Sequence, residues 1–177
     1  MIKIAARALL LAAVSGSAVL GSANAQTASP SNLFSAPTQR EGLTVWGSLT
    51  SEIFILPGLS AGLSFPVGQL GRASVSVRGM ADVIFFPLPD VSVPIVPLVG
   101  ADLLFSGPVG NVTVYGGPGI GTVLGDLFWV SGTAGIRNSF GSSRWGYFGE
   151  FKGRYLFDTA GTVLSSPGTR LGLTYRF

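Results

Sequence analysis

Trp145-Gly146-Tyr147-Phe148-Gly149-Glu150-Phe151-Lys152-Gly153-Arg154-Tyr155-Leu156-Phe157 is the stretch whose reading decides the fold. Trp145, Tyr147, Phe151, Tyr155 and Phe157 share one parity, whereas Gly146, Glu150, Lys152 and Arg154 share the other. Alternation of this kind puts successive side chains on opposite faces of an extended strand. One face is broad and aromatic; the other carries charges spaced by small residues. The same division recurs at 169–177, where Leu171, Leu173, Tyr175 and Phe177 alternate with Arg170, Gly172, Thr174 and Arg176. It recurs again where Ala73, Val75, Val77, Ala81 and Val83 alternate with Ser74, Ser76, Arg78 and Asp82. Phe128, Val130, Ala134 and Ile136 likewise oppose Ser131, Thr133 and Arg137.

Outward from these stretches the chain breaks into segments of about ten residues, the length of a tilted membrane strand. Strands are predicted at 43–55, 59–67, 73–86, 94–105, 112–123, 127–137, 145–157 and 169–177. Turn signals separate them at Pro57-Gly58, Gly68 to Arg72, Pro87 to Asp90, Gly107 to Asn111, Gly125-Asp126, Asn138 to Ser143 and Asp158 to Gly168. The fold expected is all-β, a closed antiparallel barrel of eight strands, an even count as such barrels require. Pro94, Pro97 and Pro118 fall inside predicted strands. Proline has no amide to donate, so bulges or shortened pairing are expected there.

Composition decides which face looks outward. Only 11% of residues are charged, against about 25% in a soluble domain. Beyond residue 25, no apolar run approaches the ~20 residues of a membrane helix. The aromatic residues of the apolar parity gather near strand ends, where a membrane barrel has its interfacial girdles. The polar parity mixes charge with Gly, Ser and Thr, as a narrow interior would, and Lys152 is the only lysine after Lys3. The expectation is therefore a transmembrane barrel with its polar face inside. A soluble lipocalin-like binder would have the opposite polarity.

On that reading the inward charges are drawn from Glu52, Arg78, Asp82, Asp102, Arg137, Glu150, Lys152, Arg154, Arg170 and Arg176. A lumen network is predicted among Arg78, Asp82, Asp102, Glu150, Lys152, Arg154, Arg170 and Arg176, opposite signs pairing across the interior because an uncompensated charge there is costly. An eight-stranded barrel is just wide enough to be filled by side chains, so a structural plug is favoured over a solute path.

The chain opens with Lys3 and Arg7, an apolar stretch from Ala8 to Leu20, and Ala23-Asn24-Ala25. These are the three parts of a secretory signal peptide over 1–25, with Ala23 and Ala25 at the positions a signal peptidase reads. Residues 26–42, rich in Ser, Pro, Thr and Gln, are expected to be a flexible periplasmic leader, and 43–177 to be the barrel. Without Lys3 and Arg7, the 11 basic residues become 9 against 8 acidic ones. Near-neutrality without a basic run argues against nucleic-acid binding.

The chain has no cysteine and no histidine. Disulfides, His/Cys zinc sites, a Ser-His-Asp triad and a Cys-His pair are thereby excluded. Asp82, Asp102 and Glu150 offer paired carboxylates, but a catalytic base needs an accessible cleft, and these are expected to be bound to arginine. Gly116-Gly117-Pro118-Gly119-Ile120-Gly121 resembles a phosphate loop in composition only. A phosphate cradle needs a helix after it, and Thr122-Val123-Leu124 continues a strand pattern. No enzyme activity and no cofactor are expected.

Leu171, Leu173, Tyr175 and Phe177 also resemble the C-terminal strand signature of Gram-negative outer-membrane barrels. Together with the leader and the length, the chain looks like the small eight-stranded OmpA/OmpX-type proteins, in architecture over 43–177 and in motif over 169–177. The resemblance implies an outer-membrane address, the lipid bilayer as surroundings, and the barrel assembly machinery with periplasmic chaperones as partners. It implies no activity. A structural or envelope-integrity role is expected first, and a narrow pore or small-solute binder second. With the N-terminus periplasmic, the loops at Pro57-Gly58 and Gly125-Asp126 would face outward and be very short, unlike the long loops that carry adhesion in several relatives.

Overall fold

The computed structural model describes residues 34–35, 42–86, 95–123, 127–157, 161 and 163–177. The strands are β1 (Phe34–Ser35), β2 (Thr44–Glu52), β3 (Leu56–Leu70), β4 (Ala73–Phe85), β5 (Ile95–Val109), β6 (Val112–Val123), β7 (Leu127–Ser139), β8 (Trp145–Phe157) and β9 (Val163–Arg176). From β2 to β9 each strand pairs antiparallel with the next. The ring closes where β9 returns to β2, from Thr44↔Arg176 to Glu52↔Gly168. Closure of this eight-stranded barrel satisfies the ladder groups that an edge strand would leave unpaired. β1 pairs with Gln69 and Leu70, where β3 runs on beyond the partner of Thr44.

The two ends of the barrel differ. At one, called here the tight-turn end, Gly71-Arg72, Gly110-Asn111 and residues 140–144 join consecutive strands. Gly71, Gly110 and Gly141 adopt φ of 62°, 59° and 58°, a region where a Cβ costs roughly 1–2 kcal/mol. The Phe177 amide donates to the Leu43 carbonyl at the same end, at 3.0 Å. The opposite, loop end carries the connections β2–β3, β4–β5, β6–β7 and β8–β9.

Several boundaries differ from those the sequence predicts. Pro57-Gly58 is not a turn: both residues lie within β3, where Pro57 pairs with Ser51. The chain reverses earlier, at Ile53 and Phe54, whose φ values are 50° and 61°. Two bonds hold this reversal, from the Ile55 amide to the Glu52 carbonyl at 3.1 Å and from the Ile53 amide to the Pro167 carbonyl at 2.6 Å. β3, β5 and β7 run on to Leu70, Val109 and Ser139, and β9 begins at Val163, well before residue 169. The cleavage site at Ala23 and Ala25, most of 26–42, Pro94, and the turn signals at Pro87 to Asp90, Gly125-Asp126 and Asp158 lie outside the described residues.

The prolines act unevenly. Opposite Pro118 the β5–β6 ladder skips from Asp102↔Gly119 to Phe105↔Gly116 without changing register. Pro97 pairs with Val83 in a regular ladder. The register shift falls instead in β3, between Pro66 and Gly68.

The faces separate as the alternation requires. Arg78, Glu150 and Arg154 are buried, while Phe151 and Leu173 are exposed on the outer wall. Val75 departs from this pattern: it is 4% exposed on the outward parity, where it pairs with Gly68 beside the bulge and with Phe105.

Candidate functional site

The interior of the barrel is built around eight ionised side chains from five strands. β2 supplies Glu52, β4 supplies Arg78 and Asp82, and β5 supplies Asp102. β8 contributes Glu150, Lys152 and Arg154, and β9 contributes Arg170. Every one of them is buried.

They form an unbranched chain in which the sign alternates at each link. Arg154 pairs with Glu52 and with Asp82. Arg170 continues from Asp82 at 2.5 Å to Glu150 at 3.1 Å. Arg78 takes both Glu150 oxygens, at 2.5 and 3.0 Å, and reaches Asp102 at 2.6 Å. Lys152 ends the chain on Asp102 at 2.7 Å. Four cations meet four carboxylates, so the formal charge of the interior network is zero. Ser166 adds a bond to Glu52 at 2.8 Å, and the Tyr115 hydroxyl donates to Glu150 at 3.0 Å. Satisfaction is incomplete, since Nε of Arg154, Nε of Arg170 and Oδ1 of Asp82 find no partner.

Two of these bridges join residues directly opposite on neighbouring strands, Arg78↔Asp102 and Glu150↔Arg170. The other five cross the interior between strands that are not adjacent in the ring. The chain therefore fills the bore as a strut rather than lining it.

Two indoles cap the cations. Trp46 lies 5.2 Å from the Arg78 guanidinium and 5.8 Å from that of Arg170. Trp129, 1% exposed, lies 4.9 Å from Lys152 Nζ and 5.2 Å from Arg154. Such contacts are worth about 2 kcal/mol when desolvated. Room for the rings comes from glycine. A Cβ on Gly62 would come within 2.6 Å of Trp46, and one on Gly100 or Gly121 within 2.2–2.3 Å of Trp129. The glycine run of β6 thus serves packing: Gly121 seats Trp129, and a Cβ on Gly119 would strike the Asp102 carboxylate at 1.9 Å.

Toward the loop end Ile84, Leu98 and Trp129 belong to one buried apolar cluster, against which Leu56, Val96, Val123 and Leu156 pack. At the tight-turn end the interior opens into a polar cavity of about 370 Å³.

Of the residues predicted for the lumen network, Arg176 is not in the interior chain. It is exposed and lines the mouth of that cavity, because it is the last residue of β9. Glu52, read from the sequence as an inward charge, is the far link of the chain. Arg137 lies above the network, donating to Ser106 at 3.1 Å with its guanidinium 5.7 Å from the Tyr115 ring. Trp46, Tyr115, Trp129 and Phe148 were missed as interior residues. Their signal was present, as each is an aromatic on the polar parity of its strand. Leu171, Leu173 and Phe177 are exposed on the outer wall, and Tyr175 packs between Trp145 at 5.0 Å and Phe177 at 5.1 Å.

Chemically, the carboxylates Asp82, Asp102 and Glu150 are each bound by two cations. None is positioned in an open cleft as a general base should be. Among the described residues no cluster of three or more potential ligands is arranged to hold a metal ion. Comparisons of the chain with protein-family models, with curated proteins and with solved structures find no match.

Proposed function

We propose that the chain is a non-enzymatic integral outer-membrane protein of a Gram-negative-type envelope. Its role is structural, and its bore is closed by its own ion pairs. The observation that carries this reading is the inverted polarity: charges inside, and thirty large apolar side chains exposed among the described residues. A half-exposed Leu or Phe left in water forgoes about 1 kcal/mol of transfer free energy. A wall of them would forfeit roughly tens of kcal/mol, more than the roughly 5–15 kcal/mol stability of a domain. Lipid removes that cost.

The outer aromatics support the same environment. Phe140, Trp145, Tyr147 and Tyr175 gather toward the tight-turn end, and Phe128 stacks on Phe157 toward the loop end. Two such bands suit the two faces of a bilayer. The cross-bore strut argues for a plug over a conducting pore.

Membrane fractionation combined with heat-modifiable gel mobility tests location and closure together. The expected result is a membrane-bound species that resists detergent unfolding unless heated. Recovery of folded chain in the soluble fraction without detergent would overturn the proposal. Planar-bilayer recordings should show no stepwise conductance; steps abolished by Arg78→Gln would overturn the plug.

A further inference from the structure

Above the interior strut, the mouth of the barrel gathers basic side chains. Four arginines converge on the cavity at the tight-turn end: Arg72 from the β3–β4 turn, Arg137 from β7, Arg144 from the β7–β8 turn and Arg176 from β9. No Asp or Glu is among the described residues lining it.

We infer that this mouth binds a soluble solute bearing two or more phosphate groups. Three features carry the inference. A cavity of about 370 Å³ is far larger than a single ion needs and falls in the range of small-molecule sites, roughly 300–1,000 Å³. Guanidinium forks match phosphate oxygens in pairs, and the side chains between them, such as Ser74, Thr113 and Thr174, bring hydroxyl donors. The site is also pre-formed: Arg137 is fixed by Ser106 and the Tyr115 ring, and the Arg176 amide donates to the Arg144 carbonyl at 3.0 Å.

A free solute is favoured over a lipid headgroup as the source of phosphate. Arg137 and Arg176 stand on the inward parity of their strands, behind the wall, whereas a headgroup would approach from outside it. The inference does not depend on what covers the outer wall.

The test is calorimetric titration of the full chain, folded in zwitterionic detergent, with inorganic tripolyphosphate at low ionic strength. One saturable site is expected. Arg137→Gln with Arg176→Gln should weaken it at least about tenfold, the loss of one charge-assisted contact or more, while folded gel mobility persists. The paired lysine variants should restore only part of the affinity, because a point charge lacks the fork. Should the double variant fail to fold, Arg144→Gln on its exposed turn should weaken binding about threefold. Phosphatidylglycerol in the micelle should leave the titration unchanged. Absence of a saturable site, binding indifferent to the glutamine variants, or displacement by phosphatidylglycerol would each overturn the inference.

Discussion

Lys152 reaches across the barrel to Asp102, its Nζ 2.7 and 2.9 Å from the two carboxylate oxygens. It is the end link of the ionic chain, and that position sets what its loss would do. In Lys152→Met, Asp102 still holds Arg78, and every other acid keeps a cation. In Arg154→Met, Glu52 is left with Ser166 alone. Removing one partner of a buried pair costs about 3–5 kcal/mol when the remaining charge is uncompensated. Arg154→Met should therefore lose that much in urea unfolding followed by tryptophan fluorescence, and Lys152→Met distinctly less. Adding Glu52→Gln to Arg154→Met should recover most of the loss; equal losses for the two single variants would contradict the linear arrangement.

Gly121 gives a steric prediction. Its absent Cβ would lie 2.2 Å from Trp129, and overpacking of this kind costs about 1–3 kcal/mol. Gly121→Ala should lower the unfolding midpoint, and Trp129→Leu in the same chain should relieve part of the effect. Gly132→Ala, where nothing lies within 4 Å of the added carbon, is the control and should leave the midpoint unchanged.

Leu171 reports on the surroundings of the wall. It is 71% exposed and pairs with Leu49 and Gly149, midway along its strand. An arginine at the midplane of a lipid-facing wall costs about 2–4 kcal/mol, whereas on a hydrated surface the same change is nearly neutral. Leu171→Arg should thus destabilise the chain folded in phospholipid vesicles by that amount. A change within about 0.5 kcal/mol, ordinary for a solvated surface site, would place the wall in water.

The β2–β3 reversal stores strain. Ile53 and Phe54 both have positive φ, conformations that a residue with a Cβ adopts at roughly 1–2 kcal/mol. Turn positions with positive φ favour Asn and Gly. Ile53→Asn, at the first of the two positions, should therefore stabilise the barrel by about 1 kcal/mol, while Phe54 keeps its stacking on Phe151 at 6.3 Å. A raised urea midpoint is the expected readout.

Parity made the wall legible. In β8 the charges and the aromatics occupy opposite sets of positions, which is enough to assign inside and outside once the interior is known to be polar. Two errors share one cause. Ser165-Ser166-Pro167-Gly168 reads as a turn because its residues are turn formers, yet it pairs with Lys152 to Tyr155. Its small residues serve the interior instead: Ser166 holds Glu52, and a Cβ on Gly168 would lie 2.7 Å from the Ser51 carbonyl and 3.2 Å from the Glu52 carboxyl group. Gly58 is the same case, since a Cβ there would meet the Val83 carbonyl at 2.5 Å. In a narrow barrel glycine marks crowding as often as reversal, and local composition cannot separate the two. Arg176 was misplaced for a simpler reason: alternation gives the face of a residue but not its depth along the bore.

Five of the seven bridges span strands that are not neighbours, and closing the seam between β2 and β9 brings Glu52 within reach of Arg154. A half-assembled sheet that exposed β8 alone would set two cations, Lys152 and Arg154, against the single anion Glu150. The five cross-bore pairings form only when strands distant in the ring are brought face to face. The ionic strut thus favours the finished cylinder over any partial version of it.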